Sequence, residues 1–503
     1  MITSPPVAYP EWKAPSEDGA SLIWPAADEL LRQTARNLDH LNQADHVLIQ
    51  NTPLPVLRQA ARIAIGHDPS IPLIATGHQT ELHHPGVWAK NPMMVAIAQR
   101  CGGKAVHLAV DTDSPKHLNL RWPGQSLPIS DDPAVHSAAW SGLLAAPTPA
   151  WREHLRSIAR ADAALAYEPV VFQFLDALSA SPEAEQSCDA LLTRLMAELD
   201  QTLGVEYSTL MASELWQSQA YLALAHHIAS RAAAFAADYN AALADYRQRT
   251  GTRSAMRPMP DLFVSDEAVE LPLWLDDLST GLRTRPSVFA GGDRWILQLA
   301  SGEQFEFDPR TPAATAAEAL GKFLAQARYR FSPRALTLTM FMRLVLVDQF
   351  VHGIGGGRYD QVTDQIILKH FGLLPPAFSV TTATLYFPGA QHQQRVCLPC
   401  VLREGHRLRH GVLGAAKQRL VDQITGLPRR SAARQTLFAT MQSDRRAALV
   451  IDPTYQQWEQ KLAQTRIKLG EEKTIFDREL FYAMQTRARL SNIIANYQEA
   501  FDL

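Results

Sequence analysis

Apolar residues recur every three to four positions in AADELLRQTARNLDHLNQA (26–44) and PLPVLRQAARIAIG (53–66), which predicts two amphipathic helices. The period then changes. IPLIAT (71–76) and AVHLAV (105–110) are short, continuous apolar runs separated by a polar Gly/His-rich turn, a helical stretch and CGGK. Runs of that length suit strands buried on both faces, so the segment reads as a β-loop-α-β unit of a parallel sheet. Between 150 and 250 the chain is Ala- and Leu-rich at helical spacing, in HLRSIARADAAL, CDALLTRLMAEL and LAHHIASRAAAFAADYNAALADYR. Strand-like pieces DLFV, LPLWL, PSVFA, RWILQLA and FEF follow, with turn residues between them, and predict a small meander. Helices return over 312–372, including LTLTMFMRLVLVDQFV (336–351), and FSVTTATLYFP (378–388) is extended.

The last hundred residues read as long helices, broken at Gly426-Leu427-Pro428 and restarted at Asp452-Pro453, with Asp as cap and Pro at the first helical position. Phe476, Leu480 and Met484 follow at i, i+4, i+8, giving this helical hairpin an apolar face for core, partner or second subunit. The expected division is a helical apron (1–70), the first half of an α/β core (71–150), a helical insertion (151–255), a β-rich insertion (256–311), the second half of the core (312–395) and the hairpin (396–503).

Composition narrows the function classes. With 503 residues, 46% hydrophobic and 20% charged, the chain has the balance of an ordinary globular protein. A net charge of −3 gives no global attraction to nucleic acid or anionic lipid, and no run of 18 apolar residues is present, so neither is an expected partner. The start has neither a basic n-region nor an apolar h-region, which predicts a cytoplasmic protein. Four cysteines are too few for a disulfide scaffold. The Cys397-Leu398-Pro399-Cys400 motif lacks both zinc-finger spacing and a surrounding βαβ unit, so two ordinary cysteines near a helix start are expected.

Candidate chemistry concentrates at three places. The first is the 76–92 stretch, TGHQTELHHPGVWAKNP. Pro92 suits a first helical position with Asn91 as cap and Gly102 closing the helix, which puts loop 77–90 between a strand's carboxyl end and a helix N-terminus, where open α/β sheets bind anions. Thr76, Gly77, Gln79, Lys90 and Asn91 are the candidate ligand-binding residues there, and His78 and His84 the candidates for proton transfer or charge stabilisation. The bland alternative is a long surface loop. A metal site is not expected, since adjacent His83-His84 point apart and no HExxH spacing follows. Second, Asp111-Thr112-Asp113 ends the next strand, and its carboxylates would orient an amine or hydroxyl or hold magnesium beside phosphates; an Asx-type turn before Pro115 is the alternative. Third, Arg343, Asp348 and His352 precede Gly353-Ile354-Gly355-Gly356-Gly357-Arg358-Tyr359, a second candidate anion cradle. Its glycines follow a run that reads as helical, it matches neither a P-loop nor GxGxxG, and the charged residues equally suit a buried ion pair.

In their order, TGHQTELHHPGVWAKN, DTD and the Gly-Gly pair before FGLLPP resemble the bacillithiol biosynthesis cysteine-adding enzyme family, whose members carry a TGQQ...L.TGP loop, a DHD and a GGP segment. Thr76, Gly77, Gln79, Leu82, Asp111, Asp113, Gly355 and Gly356 match; His78, His84-Pro85-Gly86, Thr112 and Gly357 depart. The resemblance implies a Rossmann-like core with large insertions and a C-terminal coiled coil that forms a homodimer. It also implies nucleotide binding and ligase-type addition of cysteine to a small acceptor; an adenine nucleotide and Mg are the candidate cofactors. His84-Pro85-Gly86 also resembles the signature of HIGH-type nucleotidyltransferases, which makes an adenylylating enzyme the alternative; a non-enzymatic nucleotide-binding scaffold is the competitor from another class.

Overall fold

The computed structural model describes residues 9–129, 139–140, 153, 157, 167–180, 187–390 and 396–503. The helical reading of 154–165 therefore lies, save Ser157, outside the described residues. The fold is mixed α/β, and the chain divides into two compact units. Residues 1–120, 127–385 and 481–503 make the first; 121–126 and 386–480 make the second.

The first unit is built on a six-stranded sheet: β1 (Ser21–Trp24), β2 (Leu73–Gln79), β3 (Lys104–Val110), β4 (Ser208–Met211), β5 (Gln349–His352) and β6 (Ser379–Ala383). They lie in the order β1-β6-β5-β2-β3-β4. β2 to β6 run parallel, and β1 closes the β6 edge antiparallel. From β2 the chain moves outward through β3 to β4, then returns to the other side of β2 as β5 and continues to β6. The direction of winding thus reverses between β2 and β5. The two strands expected from IPLIAT and AVHLAV are neighbours and parallel, in register from Leu73–Lys104 to Gln79–Val110. The helices that matter for the site are α1 (Ala27–Asn42), α2 (Leu54–Ala64), α3 (Lys90–Cys101), α4 (Cys188–Thr202), α5 (Ile354–Phe371) and α6 (Arg487–Ala500). One continuous core of Leu, Ile, Val, Phe and Ala runs from α2 through the sheet to the helices Gln219–Ser230 and Ala313–Ala327.

Several expectations are corrected. Asn91 is not a cap, and Pro92 is not the first helical residue: Pro85–Trp88 already forms a helical turn, capped by His84, and α3 starts at Lys90. Pro92 is then its third residue, still within the first turn, where backbone N–H groups have no helical acceptor. Gly102 does close α3, in the left-handed conformation at φ 66°. The run 336–351 is not one helix. It is helical over Ala335–Phe341, passes through a π turn at Met342–Leu346, and ends as central strand β5. Strands β1 and β4 were not expected, because four residues embedded in helix-rich surroundings carry too little periodicity. The meander is divided. Ala268–Glu270, Ser287–Gly291, Arg294–Gln298 and Gln304–Phe307 form one antiparallel sheet, whereas Leu273–Asp277 pairs with Arg283–Thr284 and Tyr329–Pro333.

The second unit contains the helices Leu398–Gly411, Gly414–Gly426, Ala432–Ile451 and Pro453–Ile475. Asp452 caps the last of these, its carboxylate accepting from the Thr454 and Tyr455 amides, as Asp-Pro predicts. The Phe476–Leu480–Met484 stripe is not helical: the helix ends at Ile475 and only a short 3-10 turn follows at Tyr482–Met484. The chain end, α6, packs in the first unit beside α3. Cys397 and Cys400 are joined by a disulfide, not left as two ordinary thiols; the helix start brings their Cα atoms to 5.2 Å, inside the usual range for a bridge.

Candidate functional site

The three segments singled out in the sequence leave the sheet at one edge, from the adjacent strands β5, β2 and β3. Thr76 Oγ1 donates to the Val351 carbonyl at 2.7 Å, locking β2 to β5. Gly77 is required by close approach, since a Cβ there would stand 3.0 Å from the Leu108 carbonyl oxygen.

Most of the 76–91 stretch is ordered by its own polar contacts. Gly77 to Gln79 belong to β2, and only 80–84 are irregular before the Pro85–Trp88 turn. His84 Nδ1 accepts from the Gly86 amide at 3.1 Å. Lys90 is buried and its Nζ donates to the Gly77 carbonyl at 2.6 Å. Burial pushes this amine down to about 7, only partly offset by the charge of Glu81. Glu81 in turn accepts the Lys116 and His117 amides, tying the loop to the chain beyond the DTD turn. His78, His83 and His107 form a chain of rings with centroids 5.1 and 5.7 Å apart. Burial drives His83 down to about 4 and holds His107 well below the usual imidazole range; His78, a quarter exposed, is lowered by desolvation and by Lys90. These rings are neutral at pH 7. Asn91 Oδ1 accepts from His107 Nδ1 at 2.9 Å, and Asn91 Nδ2 donates to Asp200 at 3.0 Å.

The two aspartates separate. Asp113 is half-exposed and accepts from Gln79 Nε2, which joins the first two sequence segments. Asp111 is buried, takes the Ser213 amide at 2.8 Å, and lines a cleft of about 560 Å³ between the carboxyl ends of β3 and β4 and helix α4. Asp189, on α4, lines the same cleft. Both carboxyls are raised by burial, and Asp189 is raised further by the charge of Asp111. Thr112 is structural: it accepts the Trp216 indole N–H at 3.1 Å, and its carbonyl is held by Arg283. A much smaller void, about 10 Å³, is lined by Gln79, His83 and His107 and shares Thr193, Tyr207 and Thr209 with the cleft. The histidine chain therefore reaches the wall of the cleft, while His78, Lys90 and Asp113 do not line it.

The glycine segment follows β5 and opens α5. His352 Nε2 lies 2.8 Å from Asp360 Oδ2, and Asp360 also pairs with Arg343 at 2.6 Å. Burial alone would raise Asp360, but Arg343 and His352 hold it below the usual carboxylate range. Gly356 and Gly357 are packing glycines: a Cβ would come within 2.8 Å of His352 Nδ1 and 2.5 Å of Val380 respectively. Gly353 and Gly355 border open space. Arg358 donates to the Trp12 carbonyl at 2.9 Å, and Tyr359 is exposed. Arg343 and Asp348 are buried structural ions but not each other's partners, since Asp348 pairs with Arg58 and Arg62 of α2.

Sequence reasoning missed Asp189, Thr193, Asp200 and Tyr207. Asp200 accepts from Trp88, Asn91, Tyr207 and Tyr482. The signal was present. Asp189, Thr193, Met196 and Asp200 fall at spacings of 4, 3 and 4, placing two acids on the buried stripe of α4. Among the described residues no group of three or more His, Cys, Asp or Glu is placed to hold a metal ion, and no helix is long and apolar enough to cross a membrane. No family model and no curated protein matches the chain.

Proposed function

We propose that this chain is an enzyme of the ligase type that joins an amine or thiol to a small acceptor, with the cleft beside Asp111 as its reaction chamber. The observation that carries the reading is the pair of buried carboxyls, Asp111 and Asp189, lining one cleft at the carboxyl edge of a parallel sheet. Burial raises both carboxyls and the charge of Asp111 raises Asp189 further, so the pair holds a proton more readily than free carboxylates do, as a general base for an attacking amine requires. Asp111 would take the proton, and Tyr207, Thr209 and Ser213 would position the reactants.

The strand order β4-β3-β2-β5-β6 supports reading the sheet as Rossmann-like, a class in which ligands settle where the winding reverses. This supports an adenine nucleotide as the second reactant or cofactor. Gly353 and Gly355 fit it, because they leave the first amides of α5 approachable at that reversal. The nucleotide would supply phosphoryl or adenylyl activation of the acceptor, and Mg would arrive with its phosphates. The resemblance to the cysteine-adding enzymes supports the same reading. A homodimer through the second unit also belongs to the proposal, supported by Val450, Ile451 and Ile467, which are 71%, 77% and 64% exposed on its helices. The nucleotidyltransferase alternative has less support, since His84 is engaged in capping its own turn.

Thermal shifts of the full chain with ATP, ADP and AMP test the reading. At least one nucleotide should raise Tm, and Gly355→Val should erase that rise while keeping the unliganded Tm within about 2 °C. No response to any of the three would overturn the nucleotide-dependent ligase.

A further inference from the structure

We infer that the cleft is a receptor for an organic ammonium group, held by Asp189, Thr193 and Asp111. This rests on the cleft being a ligand site, as proposed above, but not on nucleotide binding or ligation.

Asp189 Oδ1 and Thr193 Oγ1 are buried and, among the described residues, have no hydrogen-bond partner. Their residues are 1% and 6% exposed, and both line the cleft. They stand four residues apart on α4, so the two side chains project from one helical face a single turn apart. Ser187 and the first amides of α4 engage the Asp189 carboxylate, yet Oδ1 is left over. A buried acceptor without a donor is destabilising, the more so when charged, and a ligand that donates to it removes that cost. Across the cleft is Asp111, fixed by the Ser213 amide at 2.8 Å.

The charge balance decides what the ligand brings. Among the described residues the lining includes Asp111, Asp189, Glu198, Glu206 and Glu214 against one cation, Arg194, which is paired with Glu198 at 2.8 Å. That lining favours a cation over a free phosphate or carboxylate. A neutral hydroxyl could donate one hydrogen bond but would leave the paired acids without a counter-charge. A bare divalent ion needs more hard ligands than the described residues bring together. A primary ammonium carries three donors and one positive charge, matching two unpartnered acceptors plus the Asp111 carboxylate. At about 560 Å³ the cleft takes a ligand of amino-alcohol to amino-sugar size.

Calorimetric titration of the full chain with matched pairs tests this: ethanolamine against ethylene glycol, glucosamine against glucose, and potassium chloride as the inorganic cation. Each amine should bind at least tenfold more tightly than its neutral partner, with no comparable heat from potassium. Asp189→Asn, which keeps shape and removes charge, should weaken amine binding at least tenfold. Because Asp189 also braces the start of α4, Thr193→Val serves as an independent variant, expected to weaken binding about threefold with Tm unchanged. Equal binding of amines and neutral partners, binding of neither, potassium binding in place of the amines, or wild-type affinity in a folded Asp189→Asn or Thr193→Val variant would overturn the inference. Amine binding without any nucleotide response would sink the nucleotide-dependent ligase alone; a nucleotide response without amine selectivity would sink this inference alone.

Discussion

Among the described residues no carboxylate lies at salt-bridge distance from Lys90, and its amine donates to the Gly77 carbonyl. Its depression from 10.5 to about 7 means that between those values the unfolded chain binds more protons than the folded one, so this residue's penalty is largest at pH 7 and below and fades as pH rises toward 10.5. Lys90→Met should therefore stabilise the fold, by about 1–3 kcal/mol at pH 7 and less at pH 9.5, measured by urea unfolding. A natural chain that keeps such a lysine retains a cost that packing alone does not explain. Asp200 presents the opposite case. It is buried and accepts from four side chains contributed by the Pro85–Trp88 turn, α3, the residue before β4 and the chain end. Asp200→Ala should cost about 3–5 kcal/mol, because four donors lose one acceptor in a dry site. A loss below 1 kcal/mol would show that water replaces it.

At the scale of elements, the segment from β2 to α3 is held by groups that must stay neutral. His83 has its native pKa near 4 against 6.5 for an unperturbed imidazole. Above pH 6.5 both folded and unfolded chains keep it neutral. As pH falls from 6.5 toward 4 only the unfolded chain gains the proton, and stability drops by about 3 kcal/mol over that window. His83→Gln retains a donor for the Gln79 carbonyl but cannot titrate, so its unfolding midpoint should vary less between pH 7 and 5 than that of the native chain. The start of α5 is constrained by volume rather than charge. Gly357→Ala should destabilise by about 1–3 kcal/mol, since the added methyl falls 2.5 Å from Val380 in the adjacent strand. Gly355→Ala, which meets nothing within 4 Å, should leave stability within about 0.5 kcal/mol of the native value.

At the scale of the whole molecule, the first unit is closed by segments from both ends of the chain. β1 completes one edge of the sheet, and α6 returns to it, with Tyr497 OH sharing a hydrogen bond of 2.6 Å with Thr381 of β6. Truncation at 480 should therefore unfold the first unit and not merely shorten the protein, as loss of its cooperative thermal transition would reveal. The second unit exposes Val450, Ile451 and Ile467, and Val450→Asp/Ile451→Asp should convert the proposed dimer to a monomer by sedimentation without lowering helicity. An unchanged oligomeric mass would remove that face from the assembly.

Local pattern settled what depends on neighbours in the chain. IPLIAT and AVHLAV specified adjacent parallel strands because continuous apolar runs need cover on both faces, Gly102 closed α3, and Asp452-Pro453 started the last helix of the second unit. The histidine loop, the DTD turn and the glycine segment were also legible as one sheet edge. Which of their residues meet was not. Asp113 faces Gln79 while Asp111 turns into the cleft, because the turn between them is clamped by Arg283 and Trp216 from insertions more than a hundred residues away. Asp189 acquires a partner in charge only when β4 enters the sheet beside β3, an event that four residues of sequence do not announce. Burial, which lowers the pKa of the histidines and Lys90 and leaves Asp189 Oδ1 without a donor among the described residues, is a property of the packed molecule, and it follows from contacts that no local pattern contains.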